Sequence, residues 1–151
     1  MINAVRPYLD HVVDILMAKN NEHAKVDING PRWEPRGDSW SVVIFSATVV
    51  FESGHKLDIS DNFARTLRDG WTRSFAYHFG NPTDENESSI FLLDNHGFFG
   101  GEEHLHLADG QRLRAGDLQL NGFDPENIDV MEALRLVDLY FNGNPFPWTR
   151  T

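Results

Sequence analysis

Residues able to do chemistry crowd one stretch of this chain, from Arg73 to Leu107. It reads R-S-F-A-Y-H-F, a polar turn, I-F-L-L-D-N-H-G, a glycine-containing loop, and E-E-H-L-H-L. Tyr77–His78, Asp94–Asn95, His96 and the pair His104/His106 all fall inside it. On a strand, side chains one residue apart share a face. His104 and His106 therefore project together, and Leu105 and Leu107 project the other way. A strand with two imidazoles on one side and two leucines on the other can bury one face and offer the second to a ligand.

Three readings of that face stay open. With Asp94 brought over from the neighbouring antiparallel strand, His104 and His106 form a set of two imidazoles and one carboxylate. Such a set leaves positions for water on a divalent metal such as Zn, Mn or Fe. Without a metal, one imidazole can take the proton of a ribose 2′-hydroxyl while another protonates the leaving oxygen, since histidine titrates near neutrality. Arg73 or Arg112 would then stabilise the phosphoryl charge, with His78 in support. In the third reading H-L-H is the solvated side of a strand whose leucines are core. Asp94–Asn95 reads equally as a turn cap. Gly97, Gly100 and Gly101 lack the strand–glycine–helix order of a phosphate-binding loop.

The elements that must position these groups follow in chain order. Residues 3–20 carry Val5, Leu9, Val12, Val13 and Leu16 at helical spacing, and Asn20–Asn21 is a plausible stop. Residues 24–38 read as a short strand and then a Pro- and charge-rich loop with Trp33 as a buried anchor. Residues 39–51 are β-branched and aromatic throughout, the pattern of a central strand covered on both faces. E-S-G-H is a turn with His55 exposed on it, leading into the strand K-L-D-I-S. Residues 61–70 fit a helical turn or a strand edge. In W-T-R-S-F-A-Y-H-F the side chains of Trp71, Arg73, Phe75, Tyr77 and Phe79 form the packing face, which leaves His78 on the open one. R-L-R at 112–114 extends a last short strand. A C-terminal helix then begins with Asp124 as N-cap and Pro125 and Glu126 in its first turn, and ends at Asn142–Gly143. Its buried stripe is Ile128, Met131, Leu134, Val137 or Leu136, and Phe141. The tail aromatics Phe146 and Trp148 either pack back or dock on a partner. The expected fold is α+β: one domain over 1–151, an antiparallel sheet of about five or six strands, one helix before it and one after.

The order of these elements resembles the TumE-type toxins of prokaryotic toxin–antitoxin modules. The resemblance rests on a strand ending Y-H-F, a strand running into L-D-N, a short loop to H-x-H and a C-terminal helix. The matching positions are Tyr77, His78, Asp94, Asn95, His104 and His106, within roughly residues 55–141. It implies a growth-inhibiting protein encoded beside an antitoxin that holds it in check by direct contact; the ribonuclease-like action through the His/Asp cluster, the leading function expected here, comes from the residues themselves.

Composition bounds these readings. The 151 residues are 40% hydrophobic and include eleven Phe and four Trp, enough for a core and too apolar for a disordered chain. There is no cysteine, so disulfides, thiolate nucleophiles and Cys-type zinc sites are excluded. That suits a cytoplasmic protein. No apolar run approaches the roughly 18 residues of a membrane span, and no signal peptide is evident. The net charge is −10, which opposes phosphate binding on average. Arg65, Arg68, Arg73, Arg112 and Arg114 would have to supply a local basic patch. The same charge favours a second class of function: a non-enzymatic acidic binding protein, such as a phage- or mobile-element-encoded inhibitor that mimics nucleic acid or seats on a basic partner protein. A small ligand-binding domain is the third.

Overall fold

Strict alternation of buried and less buried residues along the long strands sets the architecture. In the computed structural model, which describes residues 4–35, 40–66, 70–96, 102–124 and 128–149, seven strands form one antiparallel sheet in sequence order. They are β1 (Ala24–Pro35), β2 (Trp40–Phe51), β3 (Lys56–Thr66), β4 (Gly70–Gly80), β5 (Phe91–Asp94), β6 (His104–Leu107) and β7 (Arg112–Leu113). Helix α1 (Val5–Lys19) precedes them; α2 (Ala115–Leu120) and α3 (Val130–Phe141) follow. The α+β class and the antiparallel sheet agree with the sequence reading, but the sheet has seven strands rather than five or six. The short strands read at the two ends, from residue 24 and at residue 112, both pair into the one sheet.

One face of the sheet is the core. Val43, Phe45, Val49, Leu57, Ile59, Phe63, Phe75, Tyr77, Phe79, Phe91, Leu93 and Leu105 are buried on it. Helix α1 presses Val5, Tyr8, Leu9, Val12 and Leu16 onto this core, and α3 contributes Val130, Ala133, Leu134, Leu136 and Val137. The tail packs back: Phe146 stacks on Trp148 at 4.4 Å and meets Phe91 edge-on at 6.2 Å.

The second face is not covered by these helices, which corrects the expectation for β2. Val42, Ile44, Ser46 and Thr48 are only half-buried there and Val50 is exposed. An unbroken apolar run signals burial on both faces only when something covers both.

Other local expectations change as well. The Pro-rich stretch after residue 28 remains strand, because two residues, Gly30 and Pro31, oppose one at a bulge between the pairs Asn29–Ser46 and Arg32–Ile44. Gly30 is required there: its φ is +102° and a Cβ would lie 2.6 Å from the Ile44 carbonyl oxygen. Past the bulge Trp33 is 37% exposed, with Arg6 over its ring at 4.2 Å, so it is no buried anchor. Residues 61–66 continue β3. Helix α3 starts later than expected, capped by the Asp129 side chain accepting from Glu132 N at 3.0 Å. Pro125, Glu126, Arg68, Gly97, Gly100 and Gly101 lie outside the described residues. Within α3 the buried stripe includes Leu134, Leu136 and Val137, whereas Phe141 is 42% exposed. His55, expected on the surface, is buried.

Among the described residues, β1 forms an outer edge of the sheet. Its first outward amides are already taken, Ala24 N by Asn21 Oδ1 and Val26 N by Asn20 Oδ1, both at 3.1 Å.

A buried polar knot joins both helices to the sheet. Arg73 pairs bidentately with Asp61, Nε to Oδ1 and Nη2 to Oδ2, both at 2.8 Å, and Nη1 donates to the Ile128 carbonyl at 2.6 Å. The hydroxyls of Tyr8 and Tyr77 donate to Asp61 Oδ2 at 2.7 and 2.6 Å, and Val130 N donates to Tyr8 Oη at 3.1 Å. Burial and then the Asp61 charge raise both phenols well above their ordinary range. The remaining tyrosine, Tyr140, is pushed up to about 12 by loss of solvent and its bond to Glu87. All three tyrosines thus favour the neutral form in the fold. The corresponding stability is complete below the unfolded value of about 10 and is lost as pH rises through the folded values. A tyrosinate absorbance titration of the native protein should show no ionisation at pH 10, and full ionisation together with unfolding above it. More than one native phenol titrating at about 10 would contradict the knot, since only Tyr140 lies outside it.

Candidate metal centre

Register brings the candidate residues together on the face away from α1 and α3. Ala76 pairs with Asp94, and Asp94 with His104. One step along, His78 pairs with Leu92, and Leu92 with His106. Directly opposed residues share a face, so Asp94, His104 and His106 converge as the alternation requires.

Asp94 Oδ1 lies 2.5 Å from His104 Nε2 and 3.5 Å from His106 Nε2. One ligand atom from each of the three lies within 4.8 Å of the others. His104 is fully buried, Asp94 nearly so, and the His106 side chain keeps 24% of its exposure. The site therefore has a buried floor and one wall reached by solvent. The imidazoles meet edge to face at 4.8 Å.

The donor inventory sets the protons. His104 Nδ1 lies 2.8 Å from the Glu102 carbonyl oxygen, which can only accept. Nδ1 therefore carries a hydrogen and Nε2 turns to Asp94. At 2.5 Å these two atoms lie within ion-pair range without meeting hydrogen-bond geometry. A backbone carbonyl fixing the far nitrogen of an imidazole is the usual support of a metal ligand. With bonds near 2.1 Å and tetrahedral angles, zinc ligand atoms sit about 3.4 Å apart. The His106–Asp94 separation already fits, and the His104–Asp94 pair would open by about 1 Å on loading.

His106 is held differently. Arg112 Nε donates to its Nδ1 at 3.2 Å. A neutral ring that accepts at Nδ1 keeps its hydrogen on Nε2, the atom a metal would need. Burial pushes its pKa down, a trend that Asp94 opposes and His104 and Arg112 reinforce, so the ring resists a second proton.

The other sequence candidates sit elsewhere. His78 shares the face but is two strand spacings from His106, roughly 10 Å, and contacts Ser89 Oγ at 3.0 Å. Arg73 lies on the opposite face with its guanidinium spent on Asp61, so it does not reach the cluster; Arg112 is the cation beside it. Asn95 does not cap its own turn. Its side chain extends the ladder by accepting from Phe75 N and donating to Arg73 O, both at 2.9 Å, which pins the end of β5 and with it Asp94. His96 contacts Ser74 Oγ. Of the flanking arginines, Arg114 approaches Glu102 at 3.5 Å and Arg65 lies over the Trp71 ring.

The chain matches no protein-family model, no curated protein and no solved structure. No helix among the described residues is long and apolar enough to cross a membrane.

Proposed function

We propose that this chain is a divalent-metal-dependent hydrolase centred on Asp94, His104 and His106, and that its substrate is RNA. In this reading it is a growth-inhibiting effector of the TumE type, acting in the cytoplasm and neutralised by an antitoxin protein. The observation that carries the proposal is the convergence of two imidazole nitrogens and one carboxylate oxygen within 4.8 Å on the sheet face that α1 and α3 leave open. Three protein ligands with open positions are the ligand count of hydrolytic rather than structural zinc. A metal held there would supply Lewis acidity and a water of lowered pKa. The chain's own groups have separate tasks. Glu102 O orients His104, Asp94 provides the anionic ligand, and Arg112, adjacent to His106, is placed to hold a phosphoryl oxygen.

The test is a calorimetric titration of the metal-free protein with Zn²⁺ and Mn²⁺, followed by incubation of the loaded protein with RNA. One equivalent of metal and chelator-sensitive cleavage are expected, both lost in the double variant His104→Ala/His106→Ala, with growth inhibition lost in parallel. No metal uptake would end the proposal. Growth inhibition that survives in the double variant would instead assign the net charge of −10 to a non-enzymatic grip on a basic partner.

A further inference from the structure

The turn between β2 and β3 holds a second cluster, on the helix side of the sheet. His55 is buried there, stacked on Phe79 at 5.6 Å and flanked by Tyr140 and Phe141 of α3. Its Nδ1 lies 2.7 Å from Ser53 Oγ. Its Nε2 lies 3.1 Å from Glu87 Oε2 and 3.0 Å from Tyr140 Oη. Tyr140 donates its own hydroxyl proton to Glu87 Oε1 at 2.7 Å.

These contacts fix the tautomer. A carboxylate only accepts, so His55 Nε2 carries the hydrogen and shares it between Glu87 and Tyr140. Nδ1 is left as a lone pair facing the Ser53 hydroxyl, which donates to it. Nucleophile, base and orienting carboxylate are each within hydrogen-bond reach of the next. Ser53 itself is exposed and opens on a cavity of about 250 Å³ walled by Phe51, Phe141, His23 and Glu52. The Ser53 oxygen also accepts the His55 amide at 3.3 Å, which holds it in line with the ring.

We propose that Ser53 is a nucleophile for acyl transfer, with His55 as its general base and Glu87 as the positioning residue that orients the imidazole. The substrate class is a small neutral carboxylic ester. The two phenylalanines suit a short apolar acyl group, and Glu52 with the adjacent Glu22, 3.3 Å from His23, disfavours anionic substrates. As Ser53 Oγ bonds to the carbonyl carbon, its proton passes to His55 Nδ1. The same proton then leaves on the departing alkoxide as the ester C–O bond breaks. Water repeats the sequence on the acyl-serine, releasing the acid and restoring Ser53. Ester and water become acid and alcohol, with no other reactant.

The experiment uses the full chain with 4-nitrophenyl acetate and with a neutral fluorophosphonate. A single phosphonyl adduct on Ser53 is expected, with ester hydrolysis falling to background in Ser53→Ala. Glu87→Gln should slow labelling by at least about 10-fold while the circular dichroism spectrum stays unchanged. Chelator should leave hydrolysis unaffected, which separates this site from the one at His104. A protein that takes no adduct at Ser53, or a Ser53→Ala variant that hydrolyses ester undiminished, overturns the proposal. So does a Ser53→Ala variant whose only defect is a lower melting temperature, since that result identifies the contact as a turn lock.

Discussion

Replacing His104 with Ala should abolish saturable zinc binding, whereas replacing Arg112 with Ala should tighten it. The opposite signs follow from the two imidazoles' partners. His104 is oriented for ligation by the Glu102 carbonyl, so its loss removes the best-fixed ligand. Affinity should fall by more than the roughly 10- to 100-fold typical of losing a mere supporting contact. Arg112 donates to the nitrogen of His106 that must carry the hydrogen in the loaded site. The metal therefore competes with that contact, and releasing it should gain roughly 10-fold, about 1.4 kcal/mol. Thermal shift reads both effects. At zinc concentrations 100 times the dissociation constant the native protein gains about 2.7 kcal/mol. His104→Ala should show none of this gain, and Arg112→Ala should reach it at lower zinc. Unchanged binding in His104→Ala would remove the metal centre, and weaker binding in Arg112→Ala would reverse the role given to that arginine.

The second large effect belongs to Asp61 and Arg73. Their side chains keep 0% and 6% exposure. Either single replacement, Asp61→Leu or Arg73→Met, strands a buried charge and should cost about 3–5 kcal/mol. That is a large part of the roughly 5–15 kcal/mol a domain has in total. The double variant should recover most of the loss, because an apolar pair needs no compensation. Urea midpoints at constant slope measure all three. Single variants within about 0.5 kcal/mol of the parent, the ordinary range of a surface change, would show that the pair does not hold the helices down.

How much of this was legible depended on the distance over which residues had to be matched. Period-two alternation placed His104 and His106 on one side and Leu105 and Leu107 on the other. The adjacent strand end put Asp94 beside them, and the short β5–β6 register made that local inference sound. It equally placed Arg73 on the packing face, but not its partner. Asp61 meets Arg73 only through the pairing of β3 with β4, and residues 61–66 lack the alternation that marks a strand. His55 was misread for the same reason. The groups that bury it, Tyr140 and Phe141, arrive from a helix some 85 positions later. Helix α2 is six residues long, too short for a periodic signal. The second half of β1 was hidden by Gly30–Pro31, where the bulge changes which residues face the core.

The outermost strand has a last implication for the molecule's behaviour in company. Unpaired strand borders invite other chains to stack alongside. Here two asparagines occupy the first outward amides of β1, prolines interrupt it further on, and the opposite border is a two-residue stub. At these two borders, a sheet with so much β-branched sequence thus offers little free ladder for a further strand to extend.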